Sequence, residues 1–129
     1  MNIPEDLKYT KEHEWLRVEG NIGIVGITDY AQGELGDIIY VDVPEGADIK
    51  QGESFGTIEA VKTVSELFAP VSGKIIEINS AINNDPARVN KDPYGEGWIV
   101  KVEIKDSAEI NGLLDWKEYN ELVGGLNPT

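Results

Sequence analysis

The chain has 129 residues, 40% of them apolar and 27% charged, with 14 Gly and 6 Pro, which is the make-up of a folded, turn-rich domain and excludes a disordered segment. Its 24 acidic residues against 11 basic ones leave a net charge of −13, and with no basic run to neutralise phosphates, nucleic acid is excluded as a partner. The absence of Cys rules out disulfides, thiolate zinc sites and a Cys nucleophile, and no apolar run reaches the length of a membrane span.

A chain of this length buries roughly two-thirds of the surface its unfolded form exposes, enough for one core, so one domain over residues 1–129 is expected. It opens with Met1-Asn2-Ile3-Pro4-Glu5-Asp6, which lacks the parts of a signal peptide and predicts a cytoplasmic protein. From Glu14 to Ile104 the texture is short β-branched runs separated by Gly, Pro, Asn and Asp, as in a set of short strands. Thr28 or Asp29 caps a short helix. In Asp37–Val43 the alternation places Ile39, Val41 and Val43 on one face, and in Ile99–Ile104 it does the same for Val100, Val102 and Ile104; both read as half-buried antiparallel strands. A C-terminal helix is predicted over Asp115–Val123, where Asp115 and Glu118 stand at capping-box spacing. Trp116, Tyr119 and Val123 repeat at helical intervals, and Gly124-Gly125 stops the helix.

An internal echo organises the middle of the chain. Gly36-Asp37-Ile38-Ile39-Tyr40-Val41 recurs as Gly73-Lys74-Ile75-Ile76-Glu77-Ile78, and each copy runs on to a second matching stretch, Ile49–Gly56 in one case and Val89–Gly95 in the other. Two copies cannot form a solenoid, but they can form a closed two-fold sandwich in which each half covers the other's apolar face. The segment between them, Ile58–Leu67 followed by Phe68–Gly73, then projects as a hairpin with Lys62 at its middle. No Asn-Gly or Asp-Gly marks that reversal; the repeat alone predicts it.

From the residues alone Lys62 reads either as a solvated surface lysine or as an anchor that a modifying enzyme reaches without unfolding anything. Acylation would remove its charge and make a long arm whose end group is concentrated near each partner. Glu59 and Glu66 flank the tip and are candidate recognition points for the modifying enzyme. His13 is the only histidine. Without a second imidazole or a carboxylate cluster at ligand spacing it reads as structural, so no metal and no catalytic residue is expected. Trp15, Trp98 and Trp116 read as core aromatics.

Glu59-Ala60-Val61-Lys62 together with Ala69-Pro70-Val71-Ser72-Gly73 closely resembles the lipoyl-attachment region of glycine cleavage H proteins. Tyr9–Trp15 resembles the family's opening, Gly26–Gln32 its helix start and Gly95-Glu96-Gly97-Trp98 the approach to its last strand, so the resemblance covers essentially the whole chain. It implies a mainly β fold: a flattened sandwich of two small antiparallel sheets with quasi-two-fold symmetry, a lipoyl-domain-like barrel-sandwich hybrid, with a short helix in the N-terminal half and another at the C-terminus. It implies a carrier, not an enzyme, with lipoate in amide linkage on Lys62, attached by a lipoate ligase or a lipoyl/octanoyl transferase. The implied partners are glycine decarboxylase (P protein), which loads an aminomethyl group onto the arm, an aminomethyltransferase (T protein), which takes it, and dihydrolipoyl dehydrogenase (L protein), which reoxidises the dithiol. In the family the loaded arm folds into a cleft that excludes water. The matching positions here are Glu12, Glu14, Ile27, Glu34 and Glu66, where a carboxylate would hold the ammonium end. Glu12 stands where a small polar residue can occur in other members, and Glu34 where a His can occur.

Within the same family, a relay that donates lipoate onward to 2-oxoacid dehydrogenases is the alternative. Biotin carriers typically have Met on both sides of the lysine, where this chain has Val61 and Thr63, and lipoyl domains of 2-oxoacid dehydrogenases usually have Asp before it. A hydrolase built on Glu12 and Glu14 finds no nucleophile motif and no phosphate-binding glycine loop. An unmodified interaction protein is the remaining reading, and it predicts that Lys62 stays a free amine.

Overall fold

Alternation with period two organises the N-terminal part of the chain, and a computed structural model that describes residues 2–124 reveals what each face packs against. Strands β1 (Lys8–Tyr9), β2 (Glu14–Glu19) and β3 (Ile22–Ile27) run antiparallel. Leu16 and Val25 point into the main core, while their neighbours Trp15 and Ile24 point into a second, aromatic cluster with Leu7, Tyr9, Tyr94 and Tyr119. Trp15 lies across from Gly26, where a Cβ would sit 2.7 Å from the indole, and its Nε1–H donates to Pro93 C=O at 2.9 Å.

After α1 (Asp29–Leu35) come β4 (Ile38–Asp42), β5 (Asp48–Ile49), β6 (Ser54–Ala60), β7 (Val64–Phe68) and β8 (Gly73–Ile78). Helices α2 (Ser80–Asn84) and α3 (Ala87–Lys91), strand β9 (Val100–Ile104), a 3₁₀ helix (Ser107–Gly112) and α4 (Trp116–Leu122) complete the order. All pairings are antiparallel, in a six-stranded sheet ordered β1-β2-β3-β9-β8-β5 and a three-stranded sheet ordered β4-β6-β7. The two sheets share one core, with Leu16, Val25, Ile75, Val100 and Val102 from the first against Ile38, Val41, Ile58 and Leu67 from the second. The two-sheet sandwich is therefore present, as unequal sheets and not as a closed barrel. No helix among the described residues is long and apolar enough to cross a membrane.

The expected caps are present. Thr28 Oγ1 accepts from Ala31 N–H at the start of α1, and Asp115 with Glu118 forms a complete capping box at α4. Tyr119 is buried on the inner face of α4, and Trp116 and Val123 pack beside it half-buried. Gly124 takes φ 119° at the helix end; Gly125 lies outside the described residues. Of the three tryptophans only Trp15 is a fully buried core residue. Trp98 and Trp116 are half-buried, each under a lysine, Lys101 and Lys117.

The face expected in Asp37–Val43 needs correction. Ile38 and Val41 are buried and Ile39 is exposed, because the pairing of β4 with β6 slips by one residue between Ile38 and Tyr40. A bulge turns the alternation over, which no period-two pattern anticipates. The second copy has its bulge at the matching place, between Ile75 and Glu77 of β8.

The copies part company in their second stretches. Ile49 lies in β5, which pairs with β8, and Ile75 N–H donates to Ala47 C=O at 2.9 Å. Val89 lies instead in α3, and there the Asn90 side chain supplies what a strand would: Ile38 N–H donates to Asn90 Oδ1 at 3.0 Å, and Asn90 Nδ2–H donates to Gly36 C=O at 2.8 Å. The paired glycines differ too. Gly36 closes α1 at φ 77° with open space around its Cα, whereas a Cβ on Gly73 would sit 2.1 Å from Glu103 O. Gly73→Ala must push apart β8 and β9 and should cost about 3 kcal/mol or more; urea denaturation checks this, and a loss below about 1 kcal/mol would show that the strands give way freely.

Candidate functional site

The β6–β7 hairpin is held by its inner face, where Phe55, Ile58, Ala60 and Leu67 are buried. Its reversal consists of Val61 and Lys62. Ala60 N–H donates to Thr63 C=O at 2.8 Å, and Val61 N–H donates to Asp37 C=O at 3.0 Å, tying the tip to the start of β4. Neither tip residue has positive φ, so the turn is not one of the primed types that Asn-Gly signals. Lys62 is exposed, and its ammonium enters no ion pair among the described residues. Glu59 is half-buried on the outer face of β6, between Tyr40 and Val64 in register.

Further along β7, a cleft of about 250 Å³ opens between the residue 12–14 segment, α1 and the strand. Glu12, Glu14, Ile27, Glu34 and Glu66 all line it, joined by His13, Tyr30, Leu35 and Ser65. Glu66 is exposed on its rim, roughly 13 Å along the chain from Lys62 at the rise of an extended strand. A larger open groove of about 1030 Å³, lined by Asn21, Lys50, Lys74 and Lys105, includes none of the expected residues.

Glu14 is the cleft's buried carboxyl, 1% exposed. Its Oε1 accepts from Thr10 Oγ1 at 2.6 Å and its Oε2 from Phe68 N–H at 3.2 Å, and no cationic side chain pairs with it. Burial pushes it up to about 8, against the pull of those two hydrogen bonds and with a further push from the Glu12 charge.

The turn before Glu14 has a local cause. Thr10 Oγ1 accepts from the N–H groups of Glu12 and Glu14, and His13 takes φ 75°, the one positive φ outside glycine among the described residues. Such a backbone is unfavourable for a bulky side chain and needs support. Support comes from Tyr119 of α4, whose hydroxyl lies 2.8 Å from His13 Nδ1 and 2.7 Å from Thr28 Oγ1. One phenol therefore clasps the His13 loop to the start of α1, the two walls of the cleft. Burial lowers His13 below its ordinary value, against the Glu12 and Glu34 carboxylates that raise it. Tyr119 escapes a sequence reading because its spacing marks only a core face. Among the described residues no three His, Asp or Glu side chains gather as metal ligands.

The fold and site define a two-sheet β sandwich that presents an exposed lysine at a hairpin tip beside a cleft with a buried carboxyl. A family model described as Glycine cleavage H-protein matches residues 7–125. A glycine cleavage system H protein of Symbiobacterium thermophilum is 57% identical over 120 residues, 92% of this chain and 94% of that protein. The crystal structure of a glycine cleavage system H protein from Mycobacterium marinum superimposes with a TM-score of 0.87 at 42% identity, covering 96% of this chain and 100% of that one. The chain belongs to the glycine cleavage H-protein family.

Two outcomes follow for this site. Folded Glu14 keeps its proton up to about pH 8, whereas unfolding restores a value near 4.5, so the native state binds the extra proton between those limits and loses stability as pH rises through them. Relative to Glu14→Gln, the natural chain should lose stability from about pH 5 to 8 at up to about 1.4 kcal/mol per pH unit; a gap between their urea midpoints that is constant with pH would mean the carboxyl is ionised throughout. Tyr119→Phe leaves His13 Nδ1 and Thr28 Oγ1 without their shared partner and should cost about 1–3 kcal/mol by the same measurement.

Proposed function

We propose that this chain is the lipoyl carrier of the glycine cleavage system, a single carrier domain over residues 1–129 with lipoate in amide linkage on Lys62 Nζ. The observation that supports this best is the exposed ammonium of Lys62, without an ion pair among the described residues, on a hairpin whose inner face is locked in the core. A stiff post keeps the amine within reach of a modifying enzyme, and later holds the arm's root at one place while its end visits several active sites. Attachment is acyl transfer. The neutral amine attacks the carbonyl of an activated acyl donor, a mixed anhydride with phosphate or a thioester, the N–C bond forms, the C–O or C–S bond breaks with its electron pair, and one proton leaves the nitrogen. Bound lipoate supplies a disulfide ring that accepts an aminomethyl group together with two electrons.

The chain's own residues then bind and shield. Glu14 is the group that meets an ammonium in the cleft, surrendering its proton as the cation arrives, because a buried carboxyl without a cation prefers to be neutral and a paired one does not. Thr10 and Phe68 N–H hold its two oxygens in place. Ile27, Leu35 and Ile58 keep the walls apolar and limit water, while Glu12, Glu34 and Glu66 add negative charge at the mouth. Glycine decarboxylase, the aminomethyltransferase and dihydrolipoyl dehydrogenase are the partners on this reading, with a lipoate ligase or a lipoyl/octanoyl transferase upstream.

Lys62→Arg keeps the charge and the fold, since an exposed tip substitution costs little stability, and should abolish both lipoylation and glycine cleavage. Intact mass with peptide mapping, alongside a reconstituted cleavage assay, decides the matter. Normal glycine turnover by that variant, or natively produced protein whose Lys62 is unmodified in cells that make lipoate, would sink the proposal.

A further inference from the structure

Large apolar side chains left in solvent are not spread evenly over this molecule. Ile39, Tyr40, Val61 and Val64 gather at the Lys62 end of the three-stranded sheet, while Val18, Ile76 and Leu122 lie apart. Register explains the gathering: Tyr40 pairs with Glu59 and Glu59 with Val64, so the three form one row across β4, β6 and β7 on the outer face. Val61, bonded to Asp37 C=O, continues the row to the tip.

The internal repeat supplies a control for what the fold itself requires. Ile39 and Ile76 stand at matching bulges and are 49% and 48% exposed, so the bulge accounts for both. The next position differs. In the second copy it is Glu77, whose Oε1 lies 3.6 Å from Nζ of its cross-strand partner Lys101 in a solvated ion pair. In the copy that carries the lysine hairpin it is Tyr40, 54% exposed, opposite a Glu59 that has no cationic partner among the described residues. A polar, charge-paired couple serves at this place in the second copy, so the fold does not require an exposed aromatic ring here, and the ring with the unpaired acid beside Lys62 answers to something other than folding.

We propose that Tyr40, Val61 and Val64, with Glu59 between them, form the docking surface for the enzyme that acylates Lys62. The inference rests on Lys62 being the attachment point. Only that enzyme must bring its reacting carbonyl to Nζ itself, and doing so covers Val61 and Val64, which are 68% and 60% exposed. Enzymes acting on the far end of an arm need not touch its root. Covering these side chains excludes water from around the reacting amine. Asp42 and Glu66 flank a neighbouring cross-strand row on the same face, so the matching enzyme surface is an apolar seat rimmed by Lys and Arg, and its grip weakens with salt.

The test uses the full-length chain free of lipoate, a lipoate ligase, lipoate and ATP, with acylation followed by intact mass. Tyr40→Thr, which removes the ring without setting a second carboxylate opposite Glu59, and Val64→Ser should each lower kcat/KM for the carrier at least tenfold through KM, with the fold retained by circular dichroism. Ile76→Ser and Val18→Ser should acylate as the natural chain does, and rising salt should raise KM. An unchanged kcat/KM in both patch variants overturns the proposal. So does a deficit that appears only in glycine cleavage after normal lipoylation, because the patch would then belong to a downstream enzyme. Acylation of Lys62→Arg at the natural rate would instead remove the attachment point, and with it the reading on which the proposal rests.

Discussion

The Glu14 carboxyl joins the two sheets where the site lies. Its backbone belongs to β2 of the six-stranded sheet, and its Oε2 takes the N–H of Phe68 at the end of β7 in the three-stranded sheet. A half-buried N–H on an edge strand and a buried acid without a cation would each be costly alone; here each satisfies part of the other's need, and the Thr10 hydroxyl meets more of the rest. The arrangement demands a sharp turn over residues 10–14, which places His13 at positive φ, and that in turn demands the Tyr119 clasp. Hairpin, cleft, α1 and α4 are thus set relative to one another through a short chain of polar contacts around one acid.

Duplication is visible in this chain chiefly through its departures. Both copies have the bulge, and both leave an isoleucine in solvent because of it. Where one copy adds a strand, the other adds a helix whose Asn90 side chain meets the same backbone groups. Where one copy needs glycine for its backbone angle, the other needs it for clearance from a carbonyl. The sheet that presents Lys62 is accordingly the smaller one, and β7 keeps a free edge along which the cleft opens.

Charge follows function more than folding. The ion pairs among the described residues, Arg88 with Asp85 and Glu96 and Lys101 with Glu77, are open to solvent on at least one side and contribute little stability. Most of the acidic side chains enter no ion pair among the described residues, and some of them ring the cleft mouth and the hairpin's outer face. Such a field draws cationic groups and basic partner surfaces over about a Debye length and fades with salt. Glu14 differs from its neighbours because burial, not surface potential, governs its proton.

Both principal helices with their caps and the hairpin around Lys62 were legible in the sequence, because caps and a repeated hexapeptide are local signals, and the resemblance to a known family added the layout of two sheets. The face of β4 was not: a bulge inverts alternation without changing composition, so Ile39 went outward and Ile38 inward. Helices α2 and α3 and the 3₁₀ helix are one or two turns long, too short for a period to register, and the repeat sets Val89–Gly95 beside Ile49–Gly56 without revealing that the first of these begins in a helix. Glu12, Glu14, Ile27, Glu34 and Glu66 came together only through the tertiary fold, and nothing local distinguishes Glu14 from Glu12. Burial makes that difference, since the same carboxyl keeps its proton at neutral pH in a dry wall and loses it in water, and burial belongs to the packed molecule rather than to any stretch of chain.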